Sequence, residues 1–350
     1  MLERNIVFDA IKALAISLVI LGHSIQYLSG LDYWNDSIFQ FIYSFHMPLF
    51  FMISGFFFPS SVELVWYKFF RKKAVTLLLP CFTWGIIYAC INYESWNIFV
   101  MDVIAPNHWP FWFFKGLFMV QVLAYICLKI ASRTGGGEIN VTVFAIIGSL
   151  IIYILPGMAV PRVMTLIFWV GYVMNIYYDA FNKYYRVIGV VSAILFIGLY
   201  SFWNEETMHY SASASVTIYH VLLGRHGYTI INLLMLIYRI ILGTTGSLAI
   251  ISLFHEFKNI NGLIKLIGKS TAGIYVLQSL IIERGLHWVF EKYMNFDRLP
   301  ILCNYILLLV ISVILVVIIN WLYQLIKRSA YVDFILFGSG KVIKNINRVS

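Results

Sequence analysis

The first apolar stretch of the chain contains three polar side chains of the kinds that transfer protons and bind anions. In "FDAIKALAISLVILGHSI", residues 8–25, these are Asp9, Lys12 and His23. Histidine exchanges a proton near neutral pH, so it can serve as a general base. Lysine presents a positive charge that can hold an anionic group. Because ionisable groups are costly in lipid, those inside a membrane segment are functional by default, and the stretch predicts a site.

The spacing of these residues places them along one side of a helix. At about 100° and 1.5 Å per residue, Lys12 and His23 differ by about 20° around the axis and by roughly 16 Å along it. Asp9 precedes Lys12 by three residues, which is near enough for an ion pair. Such a polar stripe is expected where ionisable groups face a bundle interior or a watery cavity. Alternatively, Asp9 and Lys12 only neutralise each other near the interface, with Lys12 snorkelling, but His23 is too deep for this explanation.

A second histidine lies in another apolar stretch, "SFHMPLFFMISGFFFP", residues 44–59. If this segment enters from the outside, His46 reaches a depth similar to that of His23. Pro48 removes a helix hydrogen bond just after it, and Gly55 permits close helix contact. The two histidines could thus face one cavity. His46 could instead be only an interhelical hydrogen-bond donor, or the pair could bind haem.

The elements that must position these residues are membrane helices. Hydrophobic residues make up 61% of the chain and charged residues 12%, about half the roughly 25% of a soluble domain, and the mean hydropathy is +0.83. The runs lack the period-two alternation of a barrel, so an all-α bundle of about ten transmembrane helices is predicted, as one domain over residues 1–350 without a separate soluble domain. The predicted spans are 6–28, 38–58, 74–93, 110–130, 141–155, 163–178, 186–203, 228–253, 270–288 and 299–325.

The charged loops predict the orientation of the bundle. Most Lys and Arg residues fall in alternate loops, which places those loops and both termini in the cytoplasm if the number of spans is even. The net charge of +9 is therefore a topology signal, and nucleic-acid binding is not expected because the basic residues are dispersed. No cleavable signal peptide is expected, since His23 interrupts the first apolar run. The four cysteines show no metal-type spacing. The apolar spans predict a multi-pass protein of the inner, cytoplasmic membrane.

Two motifs give the chain a family resemblance. "ERNIVFDAIKALAISLVILGHS" followed by "FHMPLFFMISGFFFP" resembles the start of the acyltransferase-3 family of integral membrane acyltransferases, and looks most like its fucose 4-O-acetylase-like branch. "HWPFWFFKGLF", residues 108–118, is similar to the family's Trp-Phe-Leu stretch and includes Trp112. "IGKSTAGIYVLQSLII", residues 267–282, is similar to a later motif. The resemblance covers nearly the whole chain.

The resemblance implies transfer of an acyl group, commonly acetyl, from cytoplasmic acyl-CoA to a hydroxyl of a cell-envelope glycan or a lipid-linked oligosaccharide, without a metal. The family's basic residue, ten-residue gap and histidine correspond to Lys12 and His23. Lys12 stands where many members have arginine. Lysine keeps the positive charge but cannot bind phosphate in the bidentate geometry of arginine. Gln278 stands where the later motif often has a histidine, so a role as base is not expected there. Some relatives add a hydrolase-like domain after the bundle, and this chain is expected to work alone or with a separate partner.

Acyl transfer from a thioester needs a base, an oxyanion stabiliser and a site for an anionic donor. His23 is the candidate base or transient acyl acceptor, and His46 could stabilise the oxyanion or orient the acceptor. Arg4 and Lys12 are candidates for the phosphates of acetyl-CoA. Lys115 and Arg239 lie inside predicted spans, where they could extend the cationic lining or simply pair with a carboxylate.

Two other classes of protein fit many features of the sequence. A transporter or flippase of a lipid-linked sugar would have many spans with intramembrane charge, although no internal repeat is evident. A haem-dependent oxidoreductase would need paired axial histidines and would show a haem absorption band. The sequence leaves open the acceptor sugar, the acyl group and the oligomeric state.

Overall fold

The regular structure of the chain is helical. A computed structural model describes residues 6–30, 32–92, 111–135, 137–153, 159–208, 230–257, 259–293 and 300–339. Within these ranges no strand occurs, which confirms the all-α prediction. The α-helices are α1 (Ile6–Leu28), α2 (Ser37–Phe56), α3 (Pro59–Val62), α4 (Trp66–Lys73), α5 (Leu79–Asn92), α6 (Trp112–Ala131), α7 (Glu138–Ser149), α8 (Ala159–Ile176), α9 (Tyr178–Tyr200), α10 (Ile230–His255), α11 (Gly262–Lys269), α12 (Thr271–Gln278), α13 (His287–Tyr293), α14 (Ile301–Ile326) and α15 (Ala330–Phe337). Two π-helical segments join neighbouring α-helices, at Ala74–Leu78 and Ser279–Leu286.

Seven helical segments of the described chain are long and apolar enough to cross a membrane, since a span needs about 20 apolar residues. They are Ile6–Leu28, Ser37–Phe56, Trp66–Ile91, Trp112–Thr134, Tyr178–Tyr200, Leu233–His255 and Leu302–Ile326. The other three predicted spans are also helical, but Glu138–Tyr153 is shorter, α8 has 18 residues, and the segment from α12 to α13 is interrupted by its π-helix. The chain is therefore a polytopic helix bundle, while the cytoplasmic position of both termini stays a prediction.

The helices group into two compact units. The first consists of Met1–Phe50, Tyr184–Glu205 and Thr245–Asp333, and the second of Phe51–Lys183, Glu206–Thr244 and Phe334–Ser350. In the first unit α1 is the central element, because it contacts α11, α12, α13, α14 and the π-helix that follows α12. A helix that is apolar on most of its faces is buried in this way.

One glycine lets the backbone of α11 touch the backbone of α1. A Cβ atom on Gly268 would lie 1.8 Å from the carbonyl oxygen of Asp9, a distance that no side chain tolerates. The motif "IGKS" therefore needs glycine at this position for packing. The contact fixes α11 against the turn of α1 that carries the first polar residue of the stripe.

A similar close approach occurs within the second unit. A Cβ atom on Gly55 would lie 1.9 Å from the carbonyl oxygen of Phe168, and one on Gly171 would lie 1.9 Å from that of Met52. Paired small residues of this kind let membrane helices approach closely, so the close contact predicted at Gly55 is confirmed. In the same unit α6 packs against both α7 and α8.

Candidate active site

His23 is held by a carboxylate that the sequence analysis did not select. It is buried in α1, and its Nδ1 atom lies 2.9 Å from Oε1 of Glu283 in the π-helix Ser279–Leu286. Both side chains are withdrawn from solvent, with exposed fractions of 10% and 2%. A carboxylate oxygen is an acceptor, so this contact favours the tautomer of His23 that carries its proton on Nδ1. The lone pair that can take up a proton is then on Nε2.

The second oxygen of the carboxylate is also bound. Ser279 Oγ donates a hydrogen bond to Oε2 of Glu283 at 2.9 Å. One oxygen of Glu283 thus accepts a hydrogen bond, and the other lies close to the His23 ring, so both are turned toward polar groups inside the bundle. The wide turn of a π-helix, which is frequent at functional sites, carries both residues. The result is a chain of three groups, Ser279, Glu283 and His23, which fixes the imidazole ring.

A second contact ties the same segment to α1 one turn further on. His287 Nδ1 lies 2.8 Å from the carbonyl oxygen of Tyr27 and donates a hydrogen bond to it. This carbonyl belongs to the last turn of α1, where the helix offers no amide of its own. The ring of Tyr27 is close to both histidines, with centroid distances of 5.9 Å to His23 and 5.7 Å to His287. The two contacts hold α1 and the π-helical segment in one register.

The ion pair predicted at the other end of α1 is present. Lys12 Nζ lies 2.8 Å from Oδ1 of Asp9. The Asp9 side chain is 4% exposed and that of Lys12 is 24% exposed, so the carboxylate is buried and the ammonium group reaches the surface of this unit. Lys269 follows Gly268 directly, and α11 therefore brings a further cation to this end of α1.

His46 is connected to the turn that carries His23 through an aromatic ring. Its Nδ1 atom lies 2.7 Å from the carbonyl oxygen of Ile42 in its own helix, and its ring centroid is 4.7 Å from that of Tyr43. A Cβ atom on Gly22 would lie 3.1 Å from Cε2 of Tyr43, so this ring packs closely on α1 beside His23. Tyr43 thus contacts His46 and the turn of α1 that carries His23. Their expected shared cavity stays a prediction.

The remaining predicted site residues are spread over the molecule. Gln278 is buried next to Ser279, and its Oε1 atom accepts no hydrogen bond within the described part of the chain. Trp112 and the buried Lys115 are in α6 and the half-buried Arg239 is in α10, and all three belong to the second unit. Arg4 lies outside the described residues. The roles predicted for these residues stay predictions.

The sequence analysis did not predict three residues of this site: Glu283, Ser279 and His287. The signal for Glu283 was present, because it lies inside the predicted span 270–288, and an acidic residue there should be paired or functional. The spacing of Ser279 and Glu283, four residues apart, also fits one side of a helix. What the sequence lacked was any indication that this span lies against α1.

Comparison with known proteins places the chain among its relatives. The model of the acyltransferase-3 family, described as an acyltransferase domain, matches residues 5–323. Nodulation protein NolL of Mesorhizobium japonicum is 42% identical over 88 residues, which cover 23% of this chain and 23% of the relative. NolL of Sinorhizobium fredii is 40% identical over 88 residues, covering 23% of this chain and 24% of the relative. The chain thus spans about a quarter of the length of these relatives, and no solved structure matches it. Since the family model covers nearly all of its length, the chain belongs to the acyltransferase-3 family.

Proposed function

We propose that the protein is an O-acyltransferase of the inner membrane. It moves an acyl group, with acetyl as the expected group, from acyl-CoA on the cytoplasmic side to a hydroxyl of a cell-envelope or surface glycan, or of a lipid-linked oligosaccharide. The observation that carries the proposal is the buried contact of His23 with Glu283 inside an apolar helix bundle. A histidine oriented by a carboxylate is suited to take a proton from a hydroxyl nucleophile.

The chemical step uses the Nε2 atom of His23. As the acceptor hydroxyl attacks the thioester carbonyl, its proton passes to Nε2 and a carbon–oxygen bond forms. The carbon–sulfur bond then breaks, and the proton passes from the imidazolium to the leaving thiolate of CoA. Glu283 stabilises the imidazolium that exists between these two transfers, and Ser279 keeps the carboxylate in place. Burial strengthens these interactions because little water competes with them.

The donor site is proposed at the opposite end of α1. Lys12 and Arg4 are the candidates for the CoA phosphates, and Lys269 adds positive charge at the same end of the helix. Lys12 and His23 are separated by roughly 16 Å along the helix. A donor bound through its phosphates at Lys12 would therefore have to extend its pantetheine arm along α1 toward His23.

The test of the function is incorporation of acetyl from acetyl-CoA. Membranes with the wild-type protein, supplied with isotopically labelled acetyl-CoA, should place the label on the glycan fraction. Mass spectrometry of that glycan should show acetyl in place of a hydroxyl hydrogen. Membranes without the protein serve as control. Glycan that crosses the membrane without gaining an acyl group would contradict the proposal and indicate a transporter.

Lys12 should determine the apparent KM for the donor, acetyl-CoA. A hydrogen bond to a charged group contributes about 1.5–3 kcal/mol, so Lys12→Gln is expected to raise the apparent KM for acetyl-CoA roughly tenfold to a hundredfold. Lys12→Arg should keep substantial activity because a guanidinium group also binds phosphate well. Initial rates measured over a range of acetyl-CoA concentrations provide the comparison.

A double variant separates donor binding from simple pairing with Asp9. If Lys12 only neutralises the buried carboxylate 2.8 Å away, Asp9→Asn combined with Lys12→Gln should restore what the single change lost. We expect no restoration. A double variant with a normal KM for acetyl-CoA would return both residues to a structural role.

A further inference from the structure

A buried glutamine next to the candidate active site has a polar atom without a hydrogen-bond partner. Gln278 is the last residue of α12 and is 1% exposed. Within the described part of the chain, its Oε1 atom accepts no hydrogen bond. Burying an amide without a hydrogen bond is unfavourable, so a group of this kind in a folded protein requires an explanation.

The segment that carries Gln278 runs alongside α1. A Cβ atom on Gly268 would lie 1.8 Å from the carbonyl oxygen of Asp9, and Oε1 of Glu283 lies 2.9 Å from Nδ1 of His23. The spacing between these two points is nearly the same in both segments, so the segments run side by side in the same direction. Gln278 therefore lies at a level of α1 between Asp9 and His23.

Gln278 also lies one helical turn away from the carboxylate that holds His23. It is the N-cap residue of the π-helix Ser279–Leu286, and it precedes Glu283 by five positions. In a π-helix the backbone hydrogen bonds join residues five positions apart, so two such residues are stacked about one turn from each other. The glutamine is thus the next buried polar residue on the Lys12 side of the His23–Glu283 pair.

Polar groups therefore follow one another along α1 from the surface of the first unit to the candidate base. The Lys12 side chain is 24% exposed, whereas Gln278 is 1% exposed and the His23 side chain is 10% exposed. Lys12 and His23 are separated by roughly 16 Å along the helix. Gln278 lies between these two levels, where a molecule that extends from Lys12 to His23 would have its middle part.

We propose that the side-chain amide of Gln278 binds an amide group of the pantetheine arm of acyl-CoA. The inference rests on the proposed function, which places the CoA phosphates at Lys12 and the thioester at His23. Pantetheine joins these two parts of the donor, and each of its amide groups has an N–H donor and a carbonyl acceptor. The glutamine side chain also has both, so it can pair with this neutral arm. The glycan acceptor is not assigned here, because the predicted topology brings it to the opposite end of α1.

Removing the amide should not destabilise the protein in the absence of the donor. Gln278→Met keeps the length of the side chain and replaces an amide without a partner at Oε1 by an apolar group, which suits a buried position. Thermal unfolding of the full-length protein in lipid nanodiscs provides the comparison. A clear fall in the unfolding temperature of Gln278→Met without ligand would show that the amide serves the fold and would overturn the proposal.

The donor is tested by binding, without any acyl transfer. CoA is compared with 3′-phospho-ADP, which is the nucleotide part of CoA without pantetheine. The rise in the unfolding temperature with ligand concentration gives each apparent Kd, because a ligand of the folded state stabilises it. Gln278→Met should weaken CoA binding about fivefold to tenfold, as expected for the loss of one hydrogen bond, and should leave the Kd of the nucleotide unchanged.

Gln121→Met is the matched control. Gln121 in α6 is 5% exposed, and its Oε1 atom also accepts no hydrogen bond within the residues that the structure describes, but it belongs to the second unit. This variant should bind both ligands like the wild type. Equal CoA affinity in Gln278→Met and the wild type would overturn the proposal and leave the proposed function intact. An equal loss for CoA and the nucleotide would also overturn it, because the effect would then concern the phosphates. A wild-type protein that binds neither ligand would contradict the donor of the proposed function, and this inference with it.

Discussion

His23→Ala is expected to lower acetyl transfer to the glycan by at least about a hundredfold, because a positioned general base contributes roughly 10²–10⁴ to the rate. If His23 carries the acyl group transiently, the loss is complete. Membrane insertion and the amount of protein should not change, since alanine keeps α1 apolar. The rate is measured with labelled acetyl-CoA on membranes that contain equal amounts of wild-type protein and variant.

His255→Ala is the matched control for this experiment. His255 is half-buried at the end of α10, and its ring lies 4.7 Å from that of Tyr185, with no part in the proposed site. The His255→Ala variant should transfer acetyl at a rate close to that of the wild type. Wild-type acetylation by His23→Ala would exclude His23 as the catalytic base.

The all-α fold class and the polar stripe of α1 could be predicted because both depend on local properties of the chain. Long apolar runs must be helical in lipid, and the angular separation of Lys12 and His23 follows from helix geometry alone. The ion pair of Asp9 with Lys12 was predictable for the same reason, since three residues separate the two side chains. The close helix contact at Gly55 also followed from residue size.

The partner of His23 could not be predicted because it comes from the far end of the sequence. Glu283 is 260 positions away, and its contact depends on how α12, the π-helix and α13 lie along α1. The sequence between Ser279 and Leu286 has no proline or glycine pair that marks a π-helix.

The buried pair of His23 and Glu283 is difficult to explain as a device for stability. Removing charged groups from water costs several kcal/mol per ion, and well-packed apolar residues often stabilise a core as much or more. Helix packing around α1 is already served by apolar side chains and by the close contact at Gly268. A carboxylate placed next to the Nδ1 atom of a buried histidine therefore supports the proposed chemistry at Nε2.

Glu283→Gln is expected to lower the rate of acetyl transfer by about a hundredfold or more at saturating acetyl-CoA, while the KM for acetyl-CoA stays near its wild-type value. The amide removes the negative charge that stabilises the imidazolium, and it can rotate so that its NH₂ group opposes the Nδ1–H of His23. Glu283 acts through His23 as a positioning residue, so its loss should change kcat rather than KM. Ser279→Ala removes only the support of the second carboxylate oxygen and should cost about five- to tenfold, in line with roughly 1 kcal/mol for one hydrogen bond.

Glu256→Gln makes the same chemical change at a site without a proposed role. Glu256 is exposed and pairs with Arg186 at 2.7 Å, and the hydrogen bond from this arginine lowers the pKa of the Glu256 carboxyl. Exposed ion pairs contribute little to stability, so this variant should keep the wild-type rate within about twofold and the wild-type KM. Glu283→Asp keeps the charge but shortens the side chain, and it should recover part of the rate that Glu283→Gln loses. If Glu283→Gln slows transfer only in proportion to a loss of folded protein, and Glu283→Asp recovers none of the rate, the carboxylate serves packing, and His23 must be oriented by another group.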